Sequence, residues 1–171
     1  MSLQKPLPQE YASYYEPYIQ ALPEGDILAY LASQTEEFAA LKNLDDQKGN
    51  YRYALDKWSV KELLGHVNDT ERIMSYRLLR IARGDKTPLA GFEENDYVMH
   101  AGSERLALDE LVNEFAVVRA STLALARQLD DAAWLRTGVA NGFPASARAV
   151  LYTIAGHAAH HLRILRERYE V

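Results

Sequence analysis

The 171-residue chain contains no cysteine. That excludes a disulfide framework, thiolate ligation of a metal, a cysteine nucleophile and a covalently attached haem. No window approaches the roughly 18 apolar residues of a membrane-spanning helix, and the opening MSLQKPLPQEYASYYEPYIQ lacks the apolar core of a signal peptide. A soluble, cytoplasmic protein is therefore expected. There is no basic block. With 24 acidic against 19 basic residues the net charge is −5, a poor footprint for nucleic-acid binding. No glycine-rich phosphate loop occurs, and no stretch alternates polar and apolar residues as a half-buried strand would.

What remains is helical periodicity. At 48% hydrophobic residues, the composition suits one domain, residues 1–171, with a single sizeable core. Residues 1–24 are a tyrosine- and proline-rich arm. Asp26 is placed to cap a first helix carrying Ile27, Leu31, Phe38 and Leu41, which should fade near Asp45. Ser59 and Glu62 fit a capping box and open a second helix that should end at Arg83-Gly84. About twenty residues rich in Pro, Gly and acidic side chains follow, long for a helix-to-helix connection. A third helix is expected over 107–128. Asp130 then caps a short turn holding Trp134, and TGVANGFPAS reads as a turn-rich link. Ser146 caps a last helix to about Arg168. Four long amphipathic helices imply an all-α, four-helix bundle.

Polar residues on the apolar stripes of these helices are the candidates for function. Three of the five histidines fall within GHAAHHLRIL, residues 156–165. His157 and His161 share a stripe with Val150, Ile154 and Leu165, because four residues advance a helix by about 400°. His160 lies nearer the stripe's edge, with Gly156 and Ile164. On the second helix His66 falls between Leu63 and Val67 and also faces inward. A buried imidazole needs partners for its nitrogens. Either hydrogen bonds to neighbours or a metal shared by His66, His157 and His161 would supply them. His100 reads as a solvated loop residue. Asp69 and Glu71 read as ordinary helix surface, pairing with Arg72 or Lys61.

Several metal chemistries are excluded by spacing. A di-iron bundle needs Glu-x-x-His, but the last helix has no carboxylate between Ser146 and Leu165, and Glu62 is four residues before His66. Ala158 stands where a zinc-protease helix would carry its glutamate.

The stretch YRYALDKWSVKELLGHVNDTERIMSYRLLRIARGDKTPLAGFEENDYV, followed by FPASARAVLYTIAGHAAHHLRIL, resembles the DinB superfamily, in its YfiT-like branch of metal-dependent hydrolases. The resemblance runs from about Tyr18 to Glu167 and rests on KWSVKELLGH, ERIMSYRLLRIARGD and GHAAHH together. It implies a four-helix bundle, often dimeric, with a divalent metal held by a histidine triad: His66 on the second helix and the H-x-x-x-H pair His157 and His161 on the last. Zinc is the first expectation, with nickel, iron or manganese also compatible. The resemblance further implies a small-molecule substrate. The activity would be thiol S-transfer using a low-molecular-weight thiol such as bacillithiol, mycothiol or glutathione, thiol-dependent isomerisation, or hydrolysis. A non-catalytic stress-response or interaction module stapled by metal is the alternative. The long loop around Pro88 to Tyr97 is the expected wall of the site's mouth.

Overall fold

The computed structural model describes residues 3–171. After short 3-10 turns at Pro8–Glu10 and Ser13–Tyr15, the helices are α1 (Glu16–Gln20), α2 (Ile27–Ala39), α3 (Asp46–Gly49), α4 (Val60–Ala82), α5 (Glu94–Ala101), α6 (Leu108–Ala126), α7 (Asp131–Trp134) and α8 (Ala147–Arg168). A hairpin of β1 (Thr137–Ala140) and β2 (Phe143–Ser146) precedes α8.

The long helices begin where their caps dictate. Asp26 Oδ1 accepts from the Leu28 and Ala29 amides at 2.9 and 3.2 Å. The Ser59 amide donates to Glu62 at 2.7 Å, while the Glu62 amide donates to Ser59 Oγ at 3.2 Å, completing the capping box. Ser146 Oγ accepts from the Ala149 amide at 3.1 Å.

The bundle is formed by α2, α4, α6 and α8. Helix α4 packs on α6 and α8, and α2 packs on the same two. Sequence neighbours α2 and α4 therefore stand diagonally, as do α6 and α8. Apolar residues gather in two clusters along the bundle. One joins Met74, Leu78 and Ile81 of α4 to Val150, Leu151 and Ile154 of α8. The other joins Leu63, Leu64 and Val67 of α4 to Phe115 of α6 and Leu162 and Leu165 of α8. This correspondence makes α4 and α8 antiparallel.

A layer of buried polar residues separates the two clusters. Arg119 on α6 is 0% exposed. It donates from Nε and NH2 to Glu71 at 2.7 and 2.8 Å, and from NH1 to the Leu31 carbonyl and Gln34 Oε1 at 2.7 and 2.8 Å. Gln34 Nε2 in turn donates to the Ala155 carbonyl at 2.9 Å. One guanidinium thus links all four long helices. The surface role expected of Glu71 is corrected: the residue is 3% exposed, because α4 has a second buried face, turned toward α6.

Two further departures concern the connections. The 137–146 link is an antiparallel hairpin pairing Thr137 with Ser146 through Ala140 with Phe143. Its turn is Asn141-Gly142, both at positive φ (52° and 79°), the signature of a tight two-residue hairpin turn. Leu89 is pinned to it, its amide donating to the Val139 carbonyl and its carbonyl accepting from Asn141, each at 2.9 Å. The long connection after α4 also contains α5, on which His100 is exposed, its Nδ1 2.7 Å from the Asp96 carbonyl. No helix among the described residues is long and apolar enough to cross a membrane.

Candidate metal centre

The three inward-facing histidines meet. His157 Nε2 lies 3.0 Å from His66 Nε2 and 3.1 Å from His161 Nε2. All three rings are buried, at 9%, 4% and 7% exposure respectively. The i, i+4 spacing on α8 stacks two rings on one face, and antiparallel packing brings α4 level with them.

Hydrogen bonding among the rings cannot satisfy this arrangement. A ring nitrogen carries either one N–H or one lone pair, so His157 Nε2 can make one linear hydrogen bond and not two. Protonation is no remedy. Burial pushes His66 down to about 4. Burial, with the charge of neighbouring histidines next, holds His157 and His161 well below the ordinary imidazole value. Three neutral nitrogens aimed at one another offer three lone pairs to a single cation. Two imidazole nitrogens bound tetrahedrally at ~2.0 Å stand ~3.3 Å apart, close to the separations seen. Among the described residues this is the cluster whose ligand atoms all lie within 4.8 Å of one another. The residues present fit a divalent ion.

The surroundings hold the rings in place. Trp58 packs its ring 4.7 Å from that of His66. Tyr18 of α1 sits edge-on to His157 at 6.1 Å and against His160 at 4.9 Å. Such an approach of α1 to α8 requires Gly156: a Cβ there would stand 2.5 Å from the Tyr18 carbonyl oxygen. His161 Nδ1 is buried without a protein partner. His160 stays outside the cluster, as its edge position on the helix predicts, and its Nδ1 lies 3.3 Å from Arg163 NH2.

Two clefts reach the cluster. The larger, about 930 Å³ of open space, touches His157 and is walled by Tyr15, Tyr18, Thr70, Arg77 and Phe92. The other, about 630 Å³, touches His161 and is walled by Tyr53, Lys57 and Trp58. Glu94, the first residue of α5, lines both, and its Oε2 is 4.0 Å from His66 Nε2. Burial, then the charge of Glu93, raises its carboxyl above the ordinary value. Sequence reasoning expected a wall from the 88–97 loop, but it singled out neither Glu94 nor Trp58 nor Arg77. Trp58 and Glu94 lie on other elements, and no spacing links them to the histidines; Arg77 shares α4 with His66 and, eleven residues on, falls within about 20° of it on the wheel.

Fold and site together define a helical bundle with a buried three-imidazole centre open to two clefts. The chain belongs to the DinB superfamily, whose family model matches residues 26–165. Its structure is similar to that of YfiT from Bacillus subtilis, described as a probable metal-dependent hydrolase with an unusual four-helix bundle topology. The TM-score is 0.73 and the identity 16%, covering 98% of this chain and 92% of that one. It is also similar to a mycothiol-dependent maleylpyruvate isomerase, with a TM-score of 0.67 and 19% identity. That match covers 85% of this chain and 61% of the isomerase, so the chain spans under two thirds of that protein's length. At these identities the likeness is one of fold. No curated protein matches the chain by sequence.

Proposed function

We propose that the protein is a metal-dependent enzyme in which His66, His157 and His161 hold a divalent ion, zinc foremost, and a low-molecular-weight thiol is transferred to a small electrophile. The observation that carries this reading is the meeting of three buried, neutral Nε2 atoms at 3.0 and 3.1 Å. A divalent ion bound there would supply Lewis-acid charge that favours the deprotonated form of a thiol or of water. The imidazoles add no negative charge of their own, and the low-dielectric wall around them strengthens any field at the site. The two clefts favour transfer over hydrolysis, since a thiol and an electrophile each need a route to the same point. Without cysteine, the chain has no sulfur nucleophile of its own, so the thiol must be a small molecule.

The alternative, an ion that only staples the bundle, needs a closed coordination shell. Glu94 is the nearest carboxylate, but its side chain is 56% exposed. It does not join the three nitrogens within 4.8 Å. The test is a screen of zinc-loaded protein with bacillithiol, mycothiol or glutathione and chlorodinitrobenzene. Conjugation should appear with one thiol and vanish in His157→Ala. Equal rates in wild type and variant would rule out thiol transfer at this centre.

A further inference from the structure

The fold buries two arginines in its polar interior and treats them differently. Arg119 is closed by a bidentate carboxylate and two further oxygens. Arg77, on α4, is 3% exposed, yet among the described residues no carboxylate oxygen lies within 4 Å of it. Its NH2 donates to the Ala90 carbonyl at 2.6 Å, and its NH1 faces the Met74 sulfur, a weak acceptor, at 3.6 Å. The Tyr15 phenol is a further hydrogen-bonding neighbour, but none of these partners carries a negative charge to match the guanidinium. A buried cation without a counter-ion is costly, and an anionic ligand would offset that cost.

Arg77 and His157 both border the larger cleft. Thr70 borders the same cleft one turn from His66. It is 5% exposed, and its Oγ1 is buried with no partner. A cation short of an anion and a hydroxyl short of an acceptor thus face one space. Between them and the imidazoles the walls are aromatic. Phe92 lies with its ring centroid 5.9 Å from the guanidinium carbon, and Tyr15 and Tyr18 line the same cleft. Glu93 and Glu94 also border the cleft, but both are exposed, and they disfavour a second negative charge near the reacting end. Arg77 is eleven residues beyond His66 on α4, ~16 Å of helical rise before the side chains lean inward.

We propose that Arg77, assisted by Thr70, is the anion-holding end of this cleft. The small molecule that reacts at the imidazole cluster then carries a carboxylate on the order of 10 Å from its reacting atom. This deepens the proposed function and rests on it for the word "reacts"; the carboxylate subsite itself needs no metal. The carboxylate can belong to the electrophile or to the thiol.

Isothermal titration of the full chain, with and without zinc, separates these points. The probes are 4-phenylbutanoate against its neutral amide, and 8-mercaptooctanoate against 8-mercaptooctanol. At least one carboxylate should bind about tenfold or more tightly than its neutral counterpart, the low end for a hydrogen-bonded charge pair. The preference should persist without zinc, collapse in Arg77→Gln and survive in part in Arg77→Lys. A preference confined to the first pair assigns the carboxylate to the electrophile, and one confined to the second assigns it to the thiol. If Arg77→Gln does not fold, Thr70→Val carries the test, with a severalfold loss of carboxylate affinity and none for the amide. Equal binding of charged and neutral probes, or a preference unchanged in Arg77→Gln and Thr70→Val, overturns the proposal. Zinc stoichiometry in the same samples reports separately on the imidazole centre.

Discussion

The Arg119 guanidinium meets the Glu71 carboxylate with two parallel hydrogen bonds of 2.7 and 2.8 Å. Both residues are buried in the layer that divides the bundle's two apolar halves. Removing one partner strands the other's charge. Glu71→Ala should cost about 3–5 kcal/mol, read from urea unfolding with an unchanged m value. Glu71→Met combined with Arg119→Met should recover a large part of that loss. If the single and double variants are equally unstable, the pair does not act as a unit.

Metal binding should be stoichiometric and should stabilise the fold. Elemental analysis of zinc-reconstituted protein is expected to give one ion per chain. His66→Ala, His157→Ala and His161→Ala should each abolish tight retention against a chelator. At a free zinc concentration 100 times the Kd, binding contributes about 2.7 kcal/mol. For a chain of this size that raises Tm by roughly 5–10 °C. Identical melting curves with and without zinc would count against the centre.

Stability should fall in acid through the arm. Glu10 accepts from Arg148 Nε at 2.8 Å and from Ser146 Oγ at 2.6 Å. The Arg148 hydrogen bonds are the main reason its carboxyl is lowered from 4.5 to about 2. The folded state thus holds its proton more weakly than the unfolded chain. The resulting stabilisation is complete above pH 4.5 and is lost as pH falls toward 2. Glu10→Gln should therefore be less stable than wild type at pH 7 by up to about 3 kcal/mol. The gap should narrow by pH 3, as chemical denaturation at the two pH values will show.

Gly156→Ala should disturb the cleft without touching a histidine. The added methyl meets backbone at Tyr18, which cannot swing aside as a side chain can. A cost of about 1–3 kcal/mol is expected, with faster proteolysis of residues 1–24 and unchanged zinc stoichiometry. Protection of the arm equal to wild type would show that α8 yields instead.

The parts of this structure that were legible in the sequence are those fixed by local geometry. Asp26, Ser59, Asp130 and Ser146 each cap the helix they precede, because capping is decided within four residues. The inward aim of His66, His157 and His161 followed from helical period. Glu71 was misplaced because a helical wheel gives an angle but not the number of buried faces, and α4 has two. The hairpin was hidden by its brevity and by Pro144, which an edge strand tolerates, although Asn141-Gly142 was visible. Arg77 was legible as a charged residue on the His66 stripe, three turns on, but its want of a counter-ion shows only when every neighbouring element is in place.

The diagonal placement of successive long helices has a temporal consequence. His66 and His157 are 91 residues apart in the chain, on helices that touch only after the last one is made. At about 5–20 residues per second, several seconds separate the synthesis of the first imidazole from that of the second. Whatever the three rings grip, they can grip only once α8 has been made and has docked on α4, so loading follows assembly and does not guide its early stages.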